Sequence, residues 1–164
     1  GRLEEDYQAL RGFREGSRRQ AGLAGGADLG TLMAFDGSGN LFSAFGDNFQ
    51  AEKAQDLNAR QGKIVRLKED GSIPPDNPLV GKAGARPEIW TWGMRNPQGI
   101  ALNPWTHEIW ESEHGPRGGD ELNIPRKGHN YGWPLATWGL NYGGTTFPGA
   151  QGGAGRGTVR DGAW

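Results

Sequence analysis

Short runs of strand-forming residues, each closed by a glycine- or proline-bearing turn, constrain this chain more than anything else in it. Leu32-Met33-Ala34-Phe35 and Leu41-Phe42-Ser43-Ala44-Phe45 flank Asp36-Gly37-Ser38-Gly39-Asn40, which predicts a β-hairpin. Lys63-Ile64-Val65-Arg66-Leu67 follows as a strand closed by Glu69-Asp70-Gly71. Glu88 to Trp92, Gly99 to Leu102 and Glu108 to Ser112 read as three more. Ala51 to Arg60 reads as a helical turn or a loop. Pro74, Pro75 and Pro78 make Ser72 to Val80 an extended connection, because proline lacks the backbone donor and restricts its predecessor. Strands this short and closely spaced predict an all-β sandwich, barrel or propeller rather than alternating helices and strands. No exact repeat is visible, and propeller blades need not share sequence, so this neither supports nor excludes a propeller.

The two ends read differently. Leu3, Tyr7, Leu10 and Phe13, spaced by three or four in a charged background, predict an amphipathic helix over Gly1 to Gln20. Gly149 to Gly157 is almost wholly small and polar, so regular structure is expected to fade there. The 30 glycines and 10 prolines approach a disordered composition, but seven Trp, six Phe and three Tyr supply the material of a packed core. Eighteen basic and 19 acidic residues are well mixed, leaving net charge −1 and no electrostatic footprint for nucleic acid or an anionic membrane. No apolar run is long enough to be a membrane span, and the N-terminus lacks the order of a signal peptide. With no cysteine, disulfides, thiolate metal sites and cysteine nucleophiles are excluded.

Residues with chemical potential are densest between Trp90 and Tyr142: Trp-Gly-Met-Arg-Asn-Pro-Gln-Gly at 92 to 99, Glu-His-Gly-Pro-Arg-Gly-Gly-Asp-Glu at 113 to 121, and Asn-Tyr-Gly-Trp-Pro at 130 to 134. Arg95 offers a planar fork of donors and Asn96 a donor and an acceptor, suited to a poly-anionic cofactor or substrate. Alternatively, Arg95 bonds loop carbonyls and Asn96 caps the turn before Pro97. Glu113, Asp120 and Glu121, with backbone carbonyls in a Gly/Pro loop, are hard oxygen donors that suit calcium. Alternatively they pair with Arg117 or Arg126 on a solvated loop. His107, His114 and His129 have no zinc spacing; one of them can serve as a base, or all three as solvated loop residues. The tryptophans read as core residues, with Trp133 and Trp138 able to wall a planar ligand. Tyr142 either lines a pocket or ends a strand. No GxSxG, Walker loop or strand–GxGxxG–helix is present, which removes hydrolase, nucleotidase and Rossmann readings.

At these residues the sequence closely resembles the soluble pyrroloquinoline-quinone-dependent aldose sugar dehydrogenases of the glucose/sorbosone dehydrogenase family. Gln61 to Leu67, Ile73 to Pro78 and the run from Glu88 to Tyr142 carry the resemblance, which covers about residues 31 to 142. It implies a six-bladed β-propeller, of which residues 1–164 are an incomplete portion of a single domain with roughly half of the blades. It also implies oxidation of the C1 hydroxyl of aldoses with electrons passing through the quinone to an external acceptor, a periplasmic or secreted location, and room for a homodimer of the full-length protein. Residue by residue, it implies that Arg95, Asn96 and Tyr142 contact the quinone, that the backbone of Gly115 and Pro116 holds the calcium that polarises it, and that Glu121 and Tyr131 are ligands of a further calcium. One departure stands out: Asp28 occupies the position of the family's catalytic histidine, Leu32 that of an arginine, and carboxylate is a weaker base than imidazole. The alternative is therefore a non-catalytic propeller fragment that binds calcium and a sugar or protein partner.

Overall fold

The computed structural model describes residues 32–147; the expected N-terminal helix, Asp28 and the Gly149 to Gly157 tail lie outside the described residues. Strands β1 (Leu32–Phe35), β2 (Asn40–Phe45), β3 (Lys63–Lys68) and β4 (Ile89–Trp92) form an antiparallel sheet in sequence order. A second antiparallel sheet contains β5 (Pro97–Leu102), β6 (Ile109–Glu113) and β7 (Glu121–Asn123). The one helical element among the described residues is a 3₁₀ turn at Ala51–Ala54, within the segment the sequence leaves open between helical turn and loop. The all-β reading therefore holds for the described residues.

The first hairpin forms where the sequence places it, with Phe35 opposite Leu41. Its turn closes on Asp36, whose carboxylate accepts the N–H groups of Ser38 (2.8 Å) and Asn40 (3.1 Å) and the Asn40 amide (2.7 Å). Gly37 and Gly39 supply the positive φ that this turn needs. β3 is the central strand: Ile64 and Val65 point to opposite faces and both are fully buried. The sheets pack against each other through a cluster of Phe42, Ala44, Ile64, Met94, Ile109 and Tyr131, with Trp90, Ile100 and Leu102 against it. Phe42 meets Trp90 edge to face at 5.5 Å.

Two expectations are corrected. Ser72 to Val80 is not extended throughout: it turns, with Asn77 N–H on the Pro74 carbonyl and Val80 N–H on Asn77. The buried Asn77 amide explains this, donating to the carbonyls of Arg66 (2.9 Å) and Pro87 (3.1 Å) and folding the connection back onto the sheet. Second, Glu121, grouped from sequence with a Gly/Pro loop, opens strand β7 (Glu121–Asn123), which pairs with β6 through Glu111↔Asn123 and Glu113↔Glu121. Three residues carry too little alternation to announce a strand.

Strand direction decides what meets where. The chain segments after β2, β4 and β6 open on one edge of the two sheets, where Asp47 N–H bonds the Arg95 carbonyl and His114 N–H bonds the Asn96 carbonyl. The turns after β1, β3 and β5 lie on the other edge.

Lys63 fastens the 3₁₀ segment to this frame. It is fully buried, and its ammonium donates to the carbonyls of Lys53 (2.7 Å), Ala54 (3.0 Å) and Gln61 (2.8 Å), matching three donors to three acceptors. Burial draws its pKa down to about 7, opposed by the charge of Asp56. Replacing it by methionine keeps the stem, leaves the Lys53 and Ala54 carbonyls with only the N–H groups of Asp56 and Gly93, and removes the ammonium from the Gln61 carbonyl, so Lys63→Met is expected to destabilise the chain by about 2 kcal/mol. Urea denaturation checks this; an unchanged midpoint would show that the ammonium adds nothing to the N–H groups already on these carbonyls.

Candidate functional site

The shared edge gathers most of the residues singled out from sequence. Arg95 follows β4 and is half-buried. Its Nη1 donates to the carbonyls of His114 (3.0 Å) and Gly115 (2.8 Å), and its Nη2 donates to the Tyr142 hydroxyl (3.0 Å). The guanidinium lies over the Trp133 ring at 5.4 Å and the Tyr142 ring at 5.9 Å, within cation–π range. Nε is buried without a partner among the described residues. Arg95 thus does bond loop carbonyls, as the bland alternative had it, and it also gathers Tyr142, Trp133 and the Gly115 loop around itself. Asn96 accepts from the Gln98 side chain (2.7 Å) beside Pro97, while its carbonyl receives His114 N–H.

Beneath Arg95 lies a buried acidic cluster. Glu113 Oε2 accepts the backbone N–H groups of Arg95 (2.5 Å) and Asn96 (3.1 Å). The Asn123 amide donates to Glu111 (3.2 Å), Glu113 (3.4 Å) and Glu121 (3.4 Å). Glu111 and Glu113 alternate along β6 and therefore share a face with Glu121 and Asn123 on β7. One amide with two hydrogens serves three carboxyl groups, and Glu111 Oε1 and Asn123 Oδ1 remain buried without a partner. Burial, reinforced by the charge of Glu121, pushes Glu113 up to about 8; burial and the charge of Glu113 raise Glu111 well above the usual range; burial raises Glu121. Glu111 and Asn123 were missed in the sequence, although glutamates at 111 and 113 stand at strand spacing with Ile109.

A cavity of about 10 Å³ is lined by Arg95, Glu113, Gly115, Glu121, Tyr131 and Trp133, about what one water-sized occupant needs. Gly115 is packed against the carbonyls of Gly118 and Gly119 with no room for a Cβ, and its N–H donates to Asp120 (3.0 Å). Pro116 is buried beside Gly139. Among the described residues, no three His, Asp or Glu side chains are arranged to hold a metal ion. The oxygen-rich lining, with two orphaned buried oxygens and an excess of carboxylates nearby, still has the chemistry of a hard-cation environment. The hydroxyl of Tyr131 is engaged, donating to the Ile124 carbonyl (2.5 Å) and accepting from Arg126 N–H (2.9 Å).

Other expectations separate. The suggested pairing of these acids with Arg117 or Arg126 does not occur: Arg126 lies 3.7 Å from Glu108, and Asp120 faces His114 at 3.4 Å. Trp133 and Trp138 do not wall a common slot, since Trp133 is buried, with its indole N–H on Asp47 (2.6 Å), and Trp138 is exposed. His107 sits on the opposite edge, beside a cleft of about 370 Å³ floored by Phe42, Trp90 and Ile109. The charges there pair among themselves, Arg66 with Asp76 and Arg126 with Glu108.

Comparison with known proteins agrees with this assembly. The sequence profile described as "Glucose / Sorbosone dehydrogenase" matches residues 1–159, extending on both sides of the 31 to 142 segment. The aldose sugar dehydrogenase YliI of Escherichia coli (strain K12) is 55% identical over 152 residues, 93% of this chain and 41% of that protein. The crystal structure of the soluble aldose sugar dehydrogenase from Escherichia coli in the apo-form, 55% identical, covers 85% of this chain and 40% of its own, with a TM-score of 0.80. The PQQ-bound form of aldose sugar dehydrogenase from Streptomyces coelicolor, 31% identical, covers 76% and 36%, with a TM-score of 0.57. The chain spans about two fifths of the length of these relatives.

The acidic cluster sets a pH dependence. An unfolded glutamate releases its proton near 4.5, whereas burial makes folded Glu113 hold its proton up to about 8. Between those values the folded state binds more protons, so stability falls as pH rises. In calcium-free buffer the thermal midpoint of the chain is expected to drop between about pH 5 and 7, and Glu113→Gln to flatten the drop. A midpoint that rises with pH over this interval would show that the cluster is not buried in this way.

Proposed function

Because the chain belongs to the glucose/sorbosone dehydrogenase family, we propose that it is the cofactor-holding portion of a six-bladed β-propeller oxidoreductase that oxidises the C1 hydroxyl of aldose sugars. The observation that carries this reading is the convergence of Arg95, Tyr142 and the Gly115 loop on one edge, above a buried carboxylate cluster. When bound, pyrroloquinoline quinone supplies the two-electron acceptor and calcium polarises it.

The residues of this chain bind and orient. Arg95 has a free Nε and a delocalised positive charge held between two rings, suited to a planar poly-anion and to negative charge developing on it. Tyr142, largely exposed, offers its ring and hydroxyl at the mouth; Asn96 lies next to Arg95 on the same turn. The resemblance assigns the first ion to the backbone of Gly115 and Pro116, and the Gly115 carbonyl lies 2.8 Å from Arg95 Nη1; Glu121 and the Tyr131 backbone would be the ligands of a second ion. Because Tyr131 Oη is engaged elsewhere, its contribution is a carbonyl. Deprotonation of the sugar falls to a base outside the described residues, at or near Asp28, and electrons leave to an external acceptor. A periplasmic or secreted location and a homodimer of the full-length protein fit this reading. The second reading, a calcium- and sugar-binding propeller without catalysis, is favoured by the replacement of the expected histidine by Asp28.

Two measurements test the proposal. The full-length protein, loaded with quinone and calcium, is expected to reduce a redox dye in an aldose-dependent manner; absence of sugar-stimulated reduction would leave the binding reading in its place. Calorimetric titration of quinone into this chain is expected to show binding that a chelator abolishes, and Arg95→Ala to weaken it by about a hundred-fold, the size of a lost charge-assisted contact. Chelator-insensitive binding would remove calcium from the reading.

A further inference from the structure

The turn after β2 is held in a conformation its sequence resists. Asn48 (φ 52°) and Phe49 (φ 59°) are consecutive residues in left-handed backbone, tolerable for asparagine and unfavourable for a bulky aromatic side chain. Asp47 enforces it. Its carboxylate accepts Phe49 N–H at Oδ1 (3.1 Å) and the Trp133 indole N–H at Oδ2 (2.6 Å), and its own N–H donates to the Arg95 carbonyl (2.7 Å). Gly46 lies beside the same residue: a Cβ there would meet the Arg95 carbonyl at van der Waals distance, 3.4 Å. The strained turn is therefore fastened to the two residues, Arg95 and Trp133, around which the candidate cofactor site is built.

The product of the strain is an exposed ring. Phe49 is 68% exposed, on the same edge as Tyr142 (72%) and Trp138 (65%). Two residues of backbone reach at most about 7 Å, so Phe49 stays near the Asp47–Trp133 bond. Burial of a phenylalanine is favourable wherever it can be had, and strained backbone persists only where its surroundings impose it. A turn that spends tertiary bonds to push an aromatic ring into solvent beside a binding site is a platform for something that arrives there.

We propose that Phe49 is a substrate-contact residue, on which the apolar C–H face of the aldose ring stacks while its C1 hydroxyl faces the quinone. This rests on the sugar-oxidising reading above. A pyranose suits such a surface because its hydroxyl groups radiate from the rim of the ring and leave its axial C–H face apolar, and aromatic side chains with a few placed polar groups are what line small-ligand sites.

The test uses the full-length protein loaded with quinone and calcium. Phe49→Ala is expected to raise the aldose KM about ten-fold with kcat within about two-fold, the pattern of lost uniform binding, and to weaken aldose binding in calorimetry in parallel, with quinone affinity unchanged. Phe49→Tyr keeps the ring and should keep the wild-type KM. Phe49→Gly should raise KM as alanine does while melting above the alanine variant, because glycine accepts the positive φ. A Phe49→Ala protein whose KM stays within about two-fold of wild type overturns the inference alone. A lowered thermal midpoint with unchanged KM also overturns it, assigning the ring to packing within the longer protein. Wild-type protein that oxidises no aldose overturns the functional reading, and this inference with it.

Discussion

The carboxylate of Glu113 is the contact on which the geometry of this edge depends. It sits at the end of β6, buried, and accepts the backbone N–H groups of Arg95 and Asn96. Those two donors belong to the bend between the sheets, where no strand partner can serve them, and buried N–H groups without acceptors are costly. Fixing the bend fixes the Arg95 carbonyl, which receives Asp47 N–H, and Asp47 in turn receives the Trp133 indole. The guanidinium lies over that same indole. A closed circuit of bonds, Glu113 to Arg95 to Asp47 to Trp133 and back to Arg95, therefore joins segments from both sheets and from the chain beyond β7. Burying a carboxylate opposes folding, and the opposing term is visible as the raised pKa values of the cluster. Such an arrangement is a poor source of stability.

Much of the strand framework was legible because it is written in local chemistry. Asp36-Gly37-Ser38-Gly39-Asn40 contains both the acceptor and the glycines that its turn needs, so the hairpin follows without tertiary information. Boundaries moved by a residue or two: β5 begins at Pro97, where a proline at a strand's first residue loses no ladder bond. What could not be read depended on partners far away in sequence. Asn77 folds its connection because it reaches Arg66 and Pro87, and β7 exists because β6 offers it an edge. At the site, residue chemistry pointed to Arg95, Asn96, Glu113, Asp120 and Glu121 and left Tyr142 open, and the resemblance to a family added Tyr131 and the backbone of Gly115 and Pro116. The role of Asp47 and the strain at Phe49 were silent in sequence, because Gly46-Asp47-Asn48-Phe49 reads as an ordinary loop. Only the contact with Trp133, 86 residues away, turns it into part of the site.

The topology says why a segment of about two fifths of its relatives' length can gather the Arg95, Gly115 and Tyr142 segments on one edge. In an antiparallel meander every second connection returns to the same edge, so the segments after β2, β4 and β6 are neighbours by construction. Two adjacent sheets bring three such segments together, and a stretch beyond β7 that bonds back, Asn130 to Gln55 and Tyr142 to Arg95, closes the group. A binding group assembled from neighbouring connections is compact in sequence, spanning Asp47 to Tyr142. A base that must approach the other face of a bound substrate has no such reason to be close in sequence to the residues that hold the cofactor. On the proposed reading this accounts for the separation seen here, with the binding groups on the described sheets and proton removal assigned to a residue outside them.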